Sequence, residues 1–143
     1  MPETTDKHFE IFIKESEKIV DDLGLKDWNV QYTHGDVDEE NNAECAYMIG
    51  AKSVWLRLAL EWGEKDVLDD QAIKETAWHE VFHILLAQLE YLAKARFIQE
   101  RELLIESHTL IQRLVNYTRL WEARVRAAQA TNKKKKVKGQ NKA

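Results

Sequence analysis

The chain has 143 residues, 44% of them hydrophobic and 32% charged, with five Gly and one Pro. This composition describes a globular chain long enough to bury a core without cross-links, and excludes a linker, a collagen-like repeat or a low-complexity array. The single cysteine, Cys45, excludes a disulfide framework. The formal net charge is -4, yet the last eleven residues, KKKKVKGQNKA, hold six lysines and no acid. An acidic body argues against a broad nucleic-acid face. The lysine run reads as a solvated, disordered tail over 131–143, with weak nucleic-acid binding as its functional alternative.

The N-terminal segment MPETTDKHFEIFIKESEKIV is interrupted by charge throughout, unlike the apolar stretch of a signal peptide. Arg57 splits one apolar run, and His79, Glu80 and His83 split the next, so no membrane span is expected. A soluble, cytoplasmic protein without membrane contact is the expectation.

In chain order, Phe9, Phe12, Ile13, Ser16, Ile19, Val20 and Leu23 recur at spacings of three and four. This predicts a helix over 7–23 that stops at Gly24. Trp28, Val30 and Tyr32 alternate with polar residues, predicting a short strand that ends at His34-Gly35, with His34 read as a turn residue. AECAYMIG, residues 43–50, is a weaker strand candidate. Strict alternation from Val54 to Trp62 predicts a third strand.

After Asp69-Asp70, an N-cap pair, the period changes from two to 3.6 and holds to about residue 128. Two long helices are expected, over about 71–95 and 99–128, with the break between them marked only by rotation of the apolar stripe. The fold class is α+β: an N-terminal helix, a small three-stranded sheet, then two or three helices in one domain over 1–130. The five tryptophans read as core.

The first long helix contains His79-Glu80-Val81-Phe82-His83, an HExxH pattern. Residues four apart on a helix are offset by about 40° and ~6 Å, so both imidazoles can reach one Zn2+ ion with nitrogens at about 2.0 Å. Glu80 lies about 100° round from His79, beside such an ion, where it can act as general base. Ionisable imidazoles on a mostly apolar helix are costly unless partnered.

Zinc needs a third protein ligand. The segment RELLIESHTLIQRL offers Glu102, Glu106 and His108. Glu106 falls on the apolar stripe between Leu103 and Leu110, where an unpaired carboxylate is costly, and is the first choice. Glu102 lies a turn earlier, and His108 is a candidate ligand, a hydrogen-bonding supporter of one, or an oxyanion stabiliser. Tyr47, Tyr91 and Tyr117 are core or rim aromatics, any of which could serve the oxyanion. No Gly-rich phosphate loop and no partnered Ser or Cys nucleophile is seen, and Cys45 reads as a buried apolar residue.

WNVQYTHGD, VWLRLALEW before an acidic turn, TAWHEVFHILL and IESHTLIQRL together resemble the small phage and prophage metallopeptidases, single-domain relatives of the gluzincins. The likeness covers roughly residues 28–117. It implies a minimal zincin-like core with zinc on His79, His83 and a downstream glutamate best matched by Glu106, Glu80 as general base, and a peptide or protein substrate. The downstream segment departs from the NExxSD-type gluzincin signature. Zincins bind substrate as an added strand on a sheet edge, and the strand 54–62 is the expected edge. The alternative function is a non-catalytic, metal-stabilised binding or regulatory protein, which would have no use for Glu80. A third reading tethers the protein to nucleic acid through the lysine tail.

Overall fold

The computed structural model describes residues 1–38, 41–95 and 97–140, with side chains described as far as Lys133. The elements run α1 (Asp6–Asp22), β1 (Asn29–Gly35), β2 (Ala43–Met48), β3 (Ser53–Ala59), α2 (Asp70–Lys94) and α3 (Glu100–Gln140). The coarse class is the α+β one expected.

Each helix end has a local cause. Thr5 caps α1 reciprocally: its side chain accepts from the His8 backbone N–H, and His8 Nδ1 accepts from the Thr5 N–H at 3.2 Å. At the other end Gly24 takes φ 66°, with its N–H on Asp21 O at 3.1 Å and that of Leu25 on Val20 O at 2.9 Å. This pair of bonds across a left-handed residue satisfies carbonyls the helix leaves open, and explains why the stripe stops where the glycine stands. Asp69 starts α2 by accepting from Ala72 N at 2.8 Å.

The sheet order is β1-β3-β2, with β1 parallel and β2 antiparallel to β3. The β2–β3 hairpin closes through Lys52 N–H to Ile49 O at 3.1 Å, with Lys52 at φ 46°. Hence β3 is the central strand, where the sequence reading made it the edge. The edges are β1 and β2. Strict alternation identifies a strand with one covered face but carries no information about its neighbours.

Val54, Leu56 and Leu58 of β3 point to the covered face and are buried with Phe12 and Ile19 of α1 and Ile73, Ala77, Val81 and Ile84 of α2. Trp55 and Arg57 take the other face, where they reach Gln31, Thr33 and Glu44. An N-terminal arm closes the end of the sheet: Thr4 N–H donates to Leu60 O at 2.8 Å and Trp62 N–H to Pro2 O at 2.9 Å. His34 is not a turn residue. It is in β1, stacked on Phe9 and 2.7 Å from Thr4 Oγ1.

Trp62 is buried, but Trp121 on α3 is 57% exposed, against the expectation that the tryptophans are core. The backbone of α3 remains helical through Gln140, whereas composition suggests a disordered tail from residue 131; lysine is a good helix former, and no Gly or Pro intervenes before Gly139. Residues 141–143 of that tail lie outside the described residues. Among the described residues no helix is long and apolar enough to cross a membrane.

Candidate functional site

The HExxH segment occupies the middle of α2, and its three chemical groups diverge by helical geometry. Val81, Ile84 and Leu85 turn into the core and fix the rotation of the helix. His79 is thereby set at the surface and His83 half-buried, while Glu80 turns toward β2 and is 6% exposed.

His79 Nε2 and His83 Nε2 are 3.2 Å apart, with the rings edge to face. A tetrahedral zinc with bonds of about 2.0–2.1 Å holds two nitrogens ~3.3 Å apart, so this spacing fits two corners of such a site. The other nitrogen of His83, Nδ1, lies 4.0 Å from Glu90 Oε1. Glu90 is held in turn by Tyr47 of β2, whose hydroxyl donates to Glu90 Oε2 at 2.8 Å. The 4.0 Å gap is longer than a hydrogen bond, so the Glu90 carboxylate acts on the His83 ring through its charge. Burial and the Glu90 carboxylate push the Tyr47 phenol up to about 12, so it stays a donor.

Glu80 sits where burial, and secondarily the Glu44 carboxylate, push its carboxyl up to about 7. A base poised there can both take and return a proton near neutral pH. Cys45 lies on the helix-facing side of β2, and burial, together with Glu80, Glu90 and Glu44, pushes its thiol up to about 12, which excludes it as a nucleophile near neutral pH.

His79 and Glu80 line a cleft of about 440 Å³ between α2 and the chain on either side of the sheet, walled by Asn41, Asn42, Ala43, Trp62, Asp66 and Val67. The turn that forms one wall is fixed by Asp66 N–H on Gly63 O at 3.0 Å and Gly63 N–H on Asp66 Oδ2 at 3.2 Å. The outer edge of β2 begins at this cleft, with only β3 as its neighbour in the sheet.

The α3 candidates are placed elsewhere. Glu106 is half-buried, as its stripe position predicts, but it lines a separate cavity of about 190 Å³ with Ile84, Leu85, Gln88, Lys52 and Arg113. Glu102 caps its own helix, Oε2 accepting from Gln99 N–H at 3.0 Å. His108 is exposed, with Nδ1 2.8 Å from the Leu104 carbonyl one turn back. Among the described residues no three His, Cys, Asp or Glu side chains are gathered to hold a metal ion. The two histidines are thus brought together, Glu80 shares a cleft with His79 alone, and Glu102, Glu106 and His108 are not brought to the pair.

The sequence reading missed Glu90 and assigned Tyr47 only a generic role. Glu90 is seven residues after His83, two turns along the same face of α2, a spacing that could have pointed to it. No protein-family model, curated protein or solved structure matches the chain.

Proposed function

We propose that the chain is a zinc-dependent metallopeptidase of the minimal gluzincin-like kind, with His79 and His83 as protein ligands and Glu80 as general base. The observation that carries this reading is the 3.2 Å approach of the two Nε2 atoms, with His79 lining the same open cleft as the buried Glu80. When bound there, Zn2+ would polarise a peptide carbonyl and lower the pKa of a coordinated water. Glu80 accepts a proton from a water in the cleft and returns it to the leaving amine. Glu90, steadied by Tyr47, orients His83. The free backbone groups of β2 bind an extended peptide as an added strand that runs into the cleft.

The third protein ligand is expected from α3, with Glu106 first and Glu102 or His108 next; none of them lies at the histidine pair. That incomplete donor set favours one competing reading, a metal-stabilised binding protein without turnover. Two measurements separate the readings: metal content after purification without chelator, and hydrolysis of a peptide library by the wild type and by Glu80→Gln. Zinc near one per chain, cleavage by the wild type and none by Glu80→Gln support the peptidase. Bound zinc with no cleavage by either supports the binding protein, and absence of metal overturns both.

A further inference from the structure

The cleft at His79 and Glu80 adjoins a second hollow of about 490 Å³, and Trp62 and Asn41 line both. Asp66, Glu75 and Glu80 line the first half of this trough, and Asp36, Asp38 and Glu61 line the second. Among the described residues no Lys or Arg lines either half, and none of the six carboxylates is ion-paired. Elsewhere the fold sets carboxylates against cations, as in Asp22 with Arg124 and Asp27 with Lys52 and Arg113.

The trough also holds a donor without an acceptor. Trp62 is 2% exposed, its backbone N–H is spent on the Pro2 carbonyl, and its indole Nε1 has no hydrogen-bond partner. A buried N–H left unpaired costs free energy that a bound acceptor recovers. Trp62 stands at the junction of the two halves, so a ligand that crosses from one to the other passes it.

These features together select the occupant. A single metal ion does not suit the six acids, because among the described residues no three His, Cys, Asp or Glu side chains are gathered to hold one. Spread along a trough, they suit several separate positive charges on one chain. An extended peptide presents such charges on its side chains and an acceptor, the carbonyl, at every residue. The free edge of β2 supplies the track, since it begins at Ala43, which lines the His79 half.

We propose that the trough binds a basic peptide, with Lys or Arg side chains among Asp36, Asp38 and Glu61 and a backbone carbonyl on the Trp62 indole N–H. As a substrate class, a lysine- or arginine-rich segment laid past His79, it rests on the peptidase reading.

Fluorescence anisotropy of the full chain in chelator tests binding apart from zinc and turnover. The probe is a fluorescein-labelled Ala-Gly peptide interspersed with Lys, compared with the same peptide carrying Gln or Glu at those positions. The Lys peptide is expected to bind about tenfold tighter than the Gln peptide, less so as salt rises, and the Glu peptide not at all. Asp36→Asn with Asp38→Asn should weaken the Lys peptide several-fold and leave the Gln peptide unchanged. Glu17→Gln with Glu122→Gln, which removes the same charge from exposed positions on α1 and α3, should change neither. Trp62→Phe keeps an apolar ring and removes the donor, and it should weaken the Lys peptide while melting stays cooperative. Equal binding of the Lys and Gln peptides overturns the proposal, as does an equal loss from the two neutralised pairs. Unchanged affinity in a folded Trp62→Phe overturns the indole contact. A Lys peptide that binds in chelator but is never cleaved by the zinc-loaded chain upholds the trough and counts against the peptidase reading.

Discussion

His83 has a neighbour at each ring nitrogen: Nε2 lies 3.2 Å from His79 Nε2, and Nδ1 lies 4.0 Å from a Glu90 carboxylate anchored by Tyr47. The first relationship follows from the HExxH spacing, and the second requires the sheet, because Tyr47 comes from β2. The pair is therefore a local feature of α2 whose precision depends on tertiary structure.

Removing Glu90 or Tyr47 should take away that neighbouring charge or its anchor without unfolding the chain, since Glu90 is only half-buried. Glu90→Ala is expected to weaken zinc binding by about 10–100-fold, and Tyr47→Phe by less. The check is competitive zinc titration alongside melting curves. Unchanged affinity in Glu90→Ala would show that His83 needs no such support.

Metal should stabilise the fold, because a ligand that binds only the folded state contributes RT ln(1 + [L]/Kd), about 4 kcal/mol at a thousandfold excess over Kd. For a domain of this size that is roughly a 10 °C rise in melting temperature. His79→Ala and His83→Ala should each abolish the rise, and Glu80→Gln should keep it. Calorimetry with and without a chelator reads all of these. Should Glu106→Ala also lose the rise, α3 would have to approach the pair when metal is bound.

The elements written into short-range pattern were legible: α1 from its stripe and Gly24, the strands from alternation, α2 from Asp69 and its period. The HExxH pair was legible for the same reason, being set by one helical turn. What depends on contacts between distant segments was not. Sheet order hid the edge role of β2, Glu90 acquires its place through Tyr47, and Glu106 follows its stripe toward Ile84 and Leu85 and away from His79. A stripe says which side of α3 is covered, not which part of α2 covers it.

Gly24 offers a test of the local logic. Its φ of 66° lies in the left-handed region, and an added Cβ would meet nothing within 4 Å. Gly24→Ala should therefore cost about 1–2 kcal/mol from backbone strain alone. Gly24→Asn, which tolerates that region better, should recover part of it. Urea denaturation of the three proteins distinguishes strain from crowding, since crowding would make Asn worse than Ala.

Glu80 gives the acid–base prediction. Burial first, and Glu44 second, raise its carboxyl in the metal-free fold from the ordinary 4.5 to about 7. The folded state thus holds its proton more tightly than the unfolded state, so stability is full below pH ~4.5, falls as pH rises to about 7, and stays reduced above it. Glutamine keeps the shape and cannot ionise. Metal-free Glu80→Gln should match wild type near pH 4 and melt several degrees higher at pH 8. Melting curves of both proteins in chelator across that range provide the measurement, and parallel curves would show that Glu80 is far better solvated than its 6% exposure implies. Zinc should reverse the order for wild type at pH 8, because the cation favours the ionised carboxylate that burial disfavours.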